Sequence, residues 1–409
     1  MDILKLTPFF HHPDTDAWPA AYDSVGGMQI QTWRQAVWLS QAGINQHVMT
    51  IGFPGLPKFR TLHPNLTIER MLLPMPLIRS GFSGFVGLTH SWAFATLFTL
   101  FRKKSQYAAD IVHAHLDGQI PALLVAWIVP RFLHRPLVVT VHCSRLAVYT
   151  PHSWLDKLQH RLAKWLESNV VSTASSVIAL THRTASLLSF HARHVAVVPD
   201  IVDPLQFAPP SREAIAEFRG RFGLKQQAIG FVGRIAREKG WTHLIPLAKA
   251  LRDEGYELII IGDGTQRNEL EHEIAKAKLQ DCITITGFIP NHEVPLAIAA
   301  CRLIVMPSEY EEFGGASIEA LATGTPVVAF AVGGLQEILS GITPDLLVTQ
   351  GDTLSLIAKV KAVLSGEYAQ SIDPVKLREF VTQCFPPSAM VTEVINLYRR
   401  AINNDAANL

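Results

Sequence analysis

The stretch MPSEYEEFGGASIEALATGTPVVAFAVGGL, residues 306–335, decides how this chain reads. An apolar run, Leu303–Met306, leads into it, and a polar loop follows. Next come Phe313-Gly314-Gly315-Ala316, where small residues let backbone amides approach a ligand. A short helix is expected to begin near Gly315 and to stop at Gly324 as its C-cap, ahead of a second apolar run, Val327–Phe330. Strand, polar loop and glycine-rich helix start is how a parallel α/β sheet builds a site for a polar or anionic ligand. The segment also carries two carboxylates eight positions apart, Glu311 and Glu319. Carboxylates beside a helix N-terminus suit phosphate badly and sugar hydroxyls well, because hydroxyls donate hydrogen bonds to them. The bland alternative is a solvated glutamate pair on a surface loop.

The same alternation extends in both directions. Further apolar runs lie at Ile229–Val232, Leu258–Ile261 and Ile283–Thr286, with polar helical stretches such as Arg267–Lys278 between them. The N-terminal half is less regular but similar, with strands expected at Ile3–Leu6, His47–Ile51, Ile68–Leu73, Ile111–His113, Leu137–Val141, Val177–Leu180 and Val195–Val198. The pattern predicts an α/β chain of two Rossmann-like, doubly wound domains, residues 1–205 and 206–385, joined through the proline-marked stretch Pro199–Pro210. A tail, 386–409, is expected to be helical through Met390–Ala401.

Two such domains in tandem place two sets of strand C-terminal ends across a cleft, and ligands bind at such ends. Polar clusters recur there. Gly26-Gly27 lies between the first strand and a helix near Gln29–Gln41, and His142 directly follows Leu137–Val141. Arg234 follows Ile229–Val232, with Lys239-Gly240 ahead of the next helix, and Gly262-Asp263-Gly264 follows Leu258–Ile261. Arg234 and Lys239 suit a diphosphate, although Arg234 can equally pair with Glu238. No GxxxxGKS or GKT segment is present, which disfavours a P-loop enzyme. Gly262-x-Gly264 reads as a ligand loop or simply as a turn.

Bulk properties narrow the class. A chain of 409 residues suits two domains of about 150–200 residues each. It is 48% apolar and 17% charged with net charge +1, which argues against a nucleic-acid binder. Its four cysteines, Cys143, Cys282, Cys301 and Cys384, lack zinc spacing and read as reduced thiols of a cytoplasmic protein. The start, MDILKLTPFF, reads as a first strand and not as a signal peptide. The run Ile120–Leu133 is too short and too interrupted to span a bilayer. Pro74–Lys104 combines Phe82, Phe85, Trp92, Phe94, Phe98 and Phe101 with a basic end. Thr89, His90, Ser91, Thr96 and Thr99 make it a poor insertion stripe, so a packed helix is expected and membrane association is not. Asp14-Thr15-Asp16 is read as a solvated turn and not as a metal site.

Taken together, these residues resemble the retaining glycosyltransferases of family 4, which have the GT-B fold, two Rossmann-like domains facing a cleft. The resemblance covers nearly the whole chain. It is strongest over Phe231–Gly240 and over Glu311–Glu319, which looks like the family's E-x7-E signature. It implies that Arg234 and Lys239 hold a donor diphosphate, that Glu319 binds ribose hydroxyls and Glu311 a donor-sugar hydroxyl. By the same resemblance the amides of Phe313–Ala316 hold the far side of the sugar, and Gly26, Gly27 and Gly262 belong to the donor site. The backbone near Ile289 would read the base, and His142 would lie near the donor sugar. No cofactor or metal is implied, and the C-terminal helix would return to the first domain.

A narrower resemblance rests on Gly52-Phe-Pro-Gly-Leu-Pro57, Asp117-Gly-Gln119, His142-Cys-Ser-Arg-Leu146 and Glu311-Glu-Phe-Gly-Gly315. These look like the aminoglycoside-antibiotic glycosyltransferases, which move glucose or N-acetylglucosamine from UDP-sugars to 2-deoxystreptamine. Asp200-Ile201, in place of Asn-Gly, and Glu312 depart from the broad family pattern and fit the narrower group. An aminocyclitol is cationic, so Asp117 is the expected acceptor contact; its other reading is a cap for the following helix. Rival functions are a glycoside hydrolase using Glu311 and Glu319, in which the Arg/Lys cluster has no purpose, and a membrane-peripheral family 4 enzyme with a lipid or glycan acceptor.

Overall fold

In the computed structural model, residues 1–15, 26–71, 87–146, 154–224 and 227–406 are described. Two compact units emerge: one from Met1–Thr15, Met28–Pro199 and the segment from Pro387 onward, the other from Asp200–Pro386, with which Gly26 and Gly27 also group.

The first unit holds an eight-stranded sheet. Its strands are β1 (Asp2–Leu6), β2 (Asn45–Ile51), β3 (Phe59–His63), β4 (Leu66–Met71), β5 (Ile111–Leu116), β6 (Leu137–Val141), β7 (Ser176–Ala179) and β8 (Val195–Val197). Their order is β3-β4-β2-β1-β5-β6-β7-β8, and only the β3–β4 pair is antiparallel. Helices α1 (Gly27–Gln41), α2 (Leu88–Arg102), α3 (Ile120–Leu133), α4 (Trp154–Thr173) and α5 (His182–Leu188) belong to this unit.

The second unit is a six-stranded parallel sheet, ordered β11-β10-β9-β12-β13-β14. It comprises β9 (Ala228–Val232), β10 (Glu257–Ile261), β11 (Ile283–Gly287), β12 (Ile304–Met306), β13 (Val327–Phe330) and β14 (Leu347–Val348). Its helices are α6 (Arg212–Phe222), α7 (Leu244–Arg252), α8 (Arg267–Lys276), α9 (Val294–Ala299), α10 (Gly315–Thr323), α11 (Gly333–Leu339), α12 (Thr353–Leu364) and α13 (Pro374–Cys384). The last helix, α14 (Pro387–Ala406), packs on the first unit: Val394, Leu397, Tyr398 and Ala401 are buried at helical spacing, and Tyr398 Oη lies 2.6 Å from His113 Nδ1.

The central strands are apolar almost without interruption because helices cover both faces of a parallel sheet. Ile3, Leu4, Ile111, Val138 and Val139 are buried in one sheet, and Ile229, Ile259, Ile304 and Val328 in the other. In each sheet the winding direction reverses once, between β1 and β5 and between β9 and β12. Such a switch point opens a crevice at the carboxyl ends of the strands.

The structure departs from the sequence reading in particulars. β3 is an exposed antiparallel edge without apolar alternation, and β14 is two residues long, so neither carries a periodic signal. β5 runs on to Leu116 because His113, bonded to Tyr398 and Thr140, and His115, bonded through Nδ1 to His142, are held inside the sheet instead of ending the strand. Expected strand Ile68–Leu73 is found from Leu66 and is described through Met71; residues 72 and 73 lie outside the described residues, as do Phe82 and Phe85. Around Pro199–Pro210, Ile201, Val202 and Phe207 are buried, so this stretch packs as structured turns.

Candidate functional site

The switch point of the second unit brings two loops together. Lys239 closes a single 3-10 turn, Arg237–Lys239, after β9, and Glu311 lies on the loop after β12. The loops share backbone bonds: the amides of Glu309 and Tyr310 both donate to the carbonyl of Glu238. Lys239 Nζ then donates to Glu311 Oε1 at 2.7 Å, and Ser308 Oγ donates to the same oxygen at 3.0 Å. Glu311 is only 7% exposed, so this carboxylate is stabilised by one ammonium and one hydroxyl. Residues given separate duties by the sequence reading are thus joined in one ion pair. Arg234 Nη2 reaches Glu238 Oε1 at 3.0 Å, the charge pair that was the alternative reading for it, and both side chains stay more than a third exposed.

Helix α10 starts where the glycines predict. Gly314, its N-cap, has φ 92°, and a Cβ there would come within 2.7 Å of Leu335 Cδ2. No side chain caps the helix, which leaves its first amides to other acceptors. The ring of Phe313 is buried edge-on against Phe385, with centroids 5.9 Å apart, so its backbone is the part left for Gly315 and Ala316 to extend. Gly324 is left-handed and caps the C-terminus as expected. Glu319 lies on α10, half-buried.

Packing explains some of the other glycines and leaves one unexplained. A Cβ on Gly262 would lie 2.1 Å from the carbonyl of Gly233, and one on Gly264 would lie 2.3 Å from that of Ile235. The β9 and β10 loops therefore touch backbone to backbone, with Ile235 N donating to Asp263 O at 3.0 Å. That contact by itself requires glycine at 262. At Gly27, the first residue of α1, a Cβ would meet nothing among the described residues within 4 Å, so packing does not require glycine there. Ile289 is buried beyond the end of β11, two strands from β9.

In the first unit, the loops after β5 and β6 are tied together. His142 N donates to Leu116 O at 2.8 Å, and Arg145 Nε donates to Gly118 O at 3.0 Å. Asp117 Oδ1 accepts from Gln119 N at 3.1 Å, while the N-cap of α3 is Gln119; Asp117 therefore forms a local turn and does not cap the helix. Glu167 of α4 holds the His142 loop from beneath, accepting from Ser144 Oγ at 2.6 Å and from Arg145 N at 2.7 Å. Burial pushes the Glu167 carboxyl up to about 7 despite these bonds.

Beneath His142 runs a buried polar chain that the sequence reading missed. His142 Nε2 lies 2.9 Å from His115 Nδ1, His115 stacks on His113 at 4.5 Å, and His113 Nε2 lies 2.8 Å from Thr140 Oγ1. Lys5, the cross-strand neighbour of His113, is fully buried and donates to Gln35 Oε1 at 3.0 Å. Burial, reinforced by the field of Lys5, pulls His142 down to about 3, and burial brings Lys5 to about 7. His142 therefore offers a neutral hydrogen-bonding imidazole and no positive charge near neutral pH. The available signal was Lys5, His113 and His115 standing inside apolar strands, the two histidines at period two and so on one face.

Asp14 lies in a turn, as expected, but is not left to solvent: its Oδ1 accepts from Arg70 Nη2 at 2.6 Å, and Arg70 is buried. The sequence signal failed because Arg70 lies at the end of a distant strand, β4. Asp16 lies outside the described residues. Among the described residues no group of three or more His, Cys, Asp or Glu side chains is placed to hold a metal ion.

Comparison with known proteins places these loops in context. Residues 26–200 match the family model "Glycosyl transferase 4-like domain", and residues 214–379 match "Glycosyl transferases group 1". The chain is 40% identical over 366 residues to a 2-deoxystreptamine N-acetyl-D-glucosaminyltransferase of Streptomyces fradiae, covering 87% of this chain and 86% of that one. It is 41% identical over 346 residues to a 2-deoxystreptamine glucosyltransferase of Streptomyces kanamyceticus, covering 82% and 89%. Among solved structures it resembles a sucrose-phosphate synthase of Thermosynechococcus elongatus, with a TM-score of 0.80 and 22% identity over 98% of this chain and 99% of that one.

Proposed function

The chain belongs to glycosyltransferase family 4, with that family's GT-B fold, and we propose that it moves glucose or N-acetylglucosamine from a UDP-sugar to a small aminocyclitol such as 2-deoxystreptamine, with retention at the anomeric carbon. The observation that carries the acceptor class is the similarity, over most of the chain, to two transferases named for 2-deoxystreptamine.

In this reading the second unit holds the donor and the first unit serves the acceptor. Glu319 binds the ribose hydroxyls, and the backbone near Ile289 meets the base. The uncapped amides at Phe313–Ala316 hold the sugar, as the open start of α10 favours. Lys239 and Glu311 neutralise each other before the donor arrives. On binding, the ammonium turns to the diphosphate, and the carboxylate accepts from a sugar hydroxyl. Arg234 adds a second cation to the leaving group. As the bond from the anomeric carbon to the diphosphate breaks, the acceptor oxygen forms its new bond on the same face. The departing phosphate oxygen takes the acceptor proton. Cations placed where charge develops lower this barrier, and no protein nucleophile is required. Gly26 and Gly27, at the start of α1, let the chain approach the donor closely. Neutral His142 donates to, or accepts from, the transferred sugar. Asp117 pairs with an acceptor ammonium. No metal enters the scheme.

Release of UDP from UDP-glucose and from UDP-N-acetylglucosamine, measured with and without 2-deoxystreptamine, tests the reading. Acceptor-dependent release with one donor, and a product of the matching mass, is expected. Absence of acceptor-dependent release with both donors would remove the aminocyclitol from the proposal.

A further inference from the structure

Three neighbouring helices of the first unit are apolar on both sides, with α3 packed between α2 and α4. On α2, Trp92, Thr96 and Leu100 face the core, while Phe94, Phe98 and Phe101 are 61%, 50% and 51% exposed. On α4, Ala163, Leu166 and Val170 are buried, while Leu158, Leu162 and Trp165 are 58%, 47% and 55% exposed. Each exposed set has i, i+4, i+7 spacing and so forms one stripe. Helix α3 joins the two stripes: Phe132 meets Phe101 edge to face at 4.5 Å, and Trp127 lies 6.2 Å from Trp165. The apolar surface is therefore contiguous, which separates it from the scattered exposed side chains of an ordinary surface.

Charge selects the partner. Arg102 ends α2 and Lys103 and Lys104 follow it directly, Arg131 lies on α3, and Lys157, Arg161 and Lys164 line α4, all of them exposed. Lys104 lies over the Phe132 ring at 4.7 Å and Arg131 over Trp127 at 5.0 Å, so cations border the aromatic surface. Helices α2 and α3 contain no acidic residue, and α4 contains Asp156 and the buried Glu167. The whole chain carries only +1, so the excess is local. A two-fold pairing of this face with itself would set its bases against each other. Aromatic side chains bordered by Lys and Arg match a headgroup region, where rings enter the interface and the long basic side chains reach phosphates.

We infer that this three-helix face docks on a bilayer surface carrying anionic lipid headgroups. Of the polar residues that argued against an insertion stripe, Thr89, Ser91 and Thr96 are buried on the inward side of α2 and Thr99 is half-buried against Met71. His90 is exposed, one turn before Phe94, so it borders the apolar stripe at its N-terminal end and leaves Phe94, Phe98 and Phe101 uninterrupted. No helix among the described residues is long and apolar enough to cross a membrane.

Flotation of the full chain with vesicles of equal parts phosphatidylglycerol and phosphatidylcholine tests this, with pure phosphatidylcholine vesicles alongside. The chain is expected to rise with the anionic vesicles, to stay behind with the neutral ones and to be released by high salt. A Phe98→Ser, Trp165→Ser variant and, separately, a Lys103→Glu, Lys104→Glu variant should each partition about tenfold more weakly, with unchanged thermal unfolding. Failure of the wild type to float with the anionic vesicles overturns the inference. So does equal flotation of the charge-reversed variant, which alters only exposed residues. A wild-type dimer that Phe98→Ser, Trp165→Ser dissociates, with no flotation, would assign the face to a second copy of the chain instead. The transferase reading stands or falls separately, on UDP release.

Discussion

Lys239 Nζ and Glu311 Oε1, 2.7 Å apart, join the loops that follow two strands adjacent in the second sheet, β9 and β12. The pair bridges the loops at the point where the winding of that sheet reverses, and Ser308 donates to the same carboxylate oxygen.

Lys239→Ala and Glu311→Ala should therefore be coupled. Loss of Lys239 leaves a carboxylate that is only 9% exposed without its cation, at a cost of about 1–3 kcal/mol in folding stability. The double variant should cost less than the sum of the single ones, as denaturant melts of all four proteins would show. Arg234→Ala serves as the contrast, since its exposed pair with Glu238 contributes little to stability. It should lower kcat while leaving the melt unchanged. Additive costs at Lys239 and Glu311 would mean the pair is not formed in solution.

Much of this site was legible because each part has a local signal. The apolar run into Met306, the glycines that permit a left-handed N-cap at Gly314 and the C-cap Gly324 all lie within one stretch of sequence. What was not legible depends on partners far along the chain. Asp14 looked solvated because nothing near it in sequence shows that Arg70 reaches it. The packing reason for glycine at 262, the carbonyl of Gly233, was not legible because it belongs to another loop. The outer face of α2 was hidden because a sequence shows the polar threonines without showing that they point inward.

Glu319→Ala should weaken UDP binding. A carboxylate accepting from two ribose hydroxyls contributes about 1.5–3 kcal/mol through charge-assisted hydrogen bonds. Calorimetric titration with UDP alone isolates this contact from the sugar and from the acceptor. An unchanged affinity would take Glu319 out of the nucleotide site.

Glu167 should make stability pH-dependent. Its carboxyl is raised from 4.5 to about 7 by burial, so the folded state retains a proton that the unfolded chain releases. The contribution is fully present below pH 4.5 and is lost as pH rises through about 7. Glu167→Gln keeps an acceptor for Arg145 N and removes the titration, so its unfolding midpoint should lose that part of the slope. A wild-type slope that persists in the variant assigns the proton elsewhere.

Asp117 bears on the acceptor. Its Oδ1 is occupied by the amide of Gln119, an interaction that Asn preserves, so Asp117→Asn removes charge while keeping the turn. If the acceptor is an aminocyclitol with an ammonium at this carboxylate, the variant should raise the KM for 2-deoxystreptamine and leave UDP affinity alone. Losing one charge-assisted hydrogen bond costs about 1.5–3 kcal/mol, roughly tenfold or more in kcat/KM. A neutral ring such as myo-inositol separates charge from shape. The wild type should prefer 2-deoxystreptamine strongly, and the variant should narrow that preference by weakening the cationic acceptor alone. Equal turnover of the two acceptors by the wild type would sink the cationic acceptor, whatever the substitution does to KM.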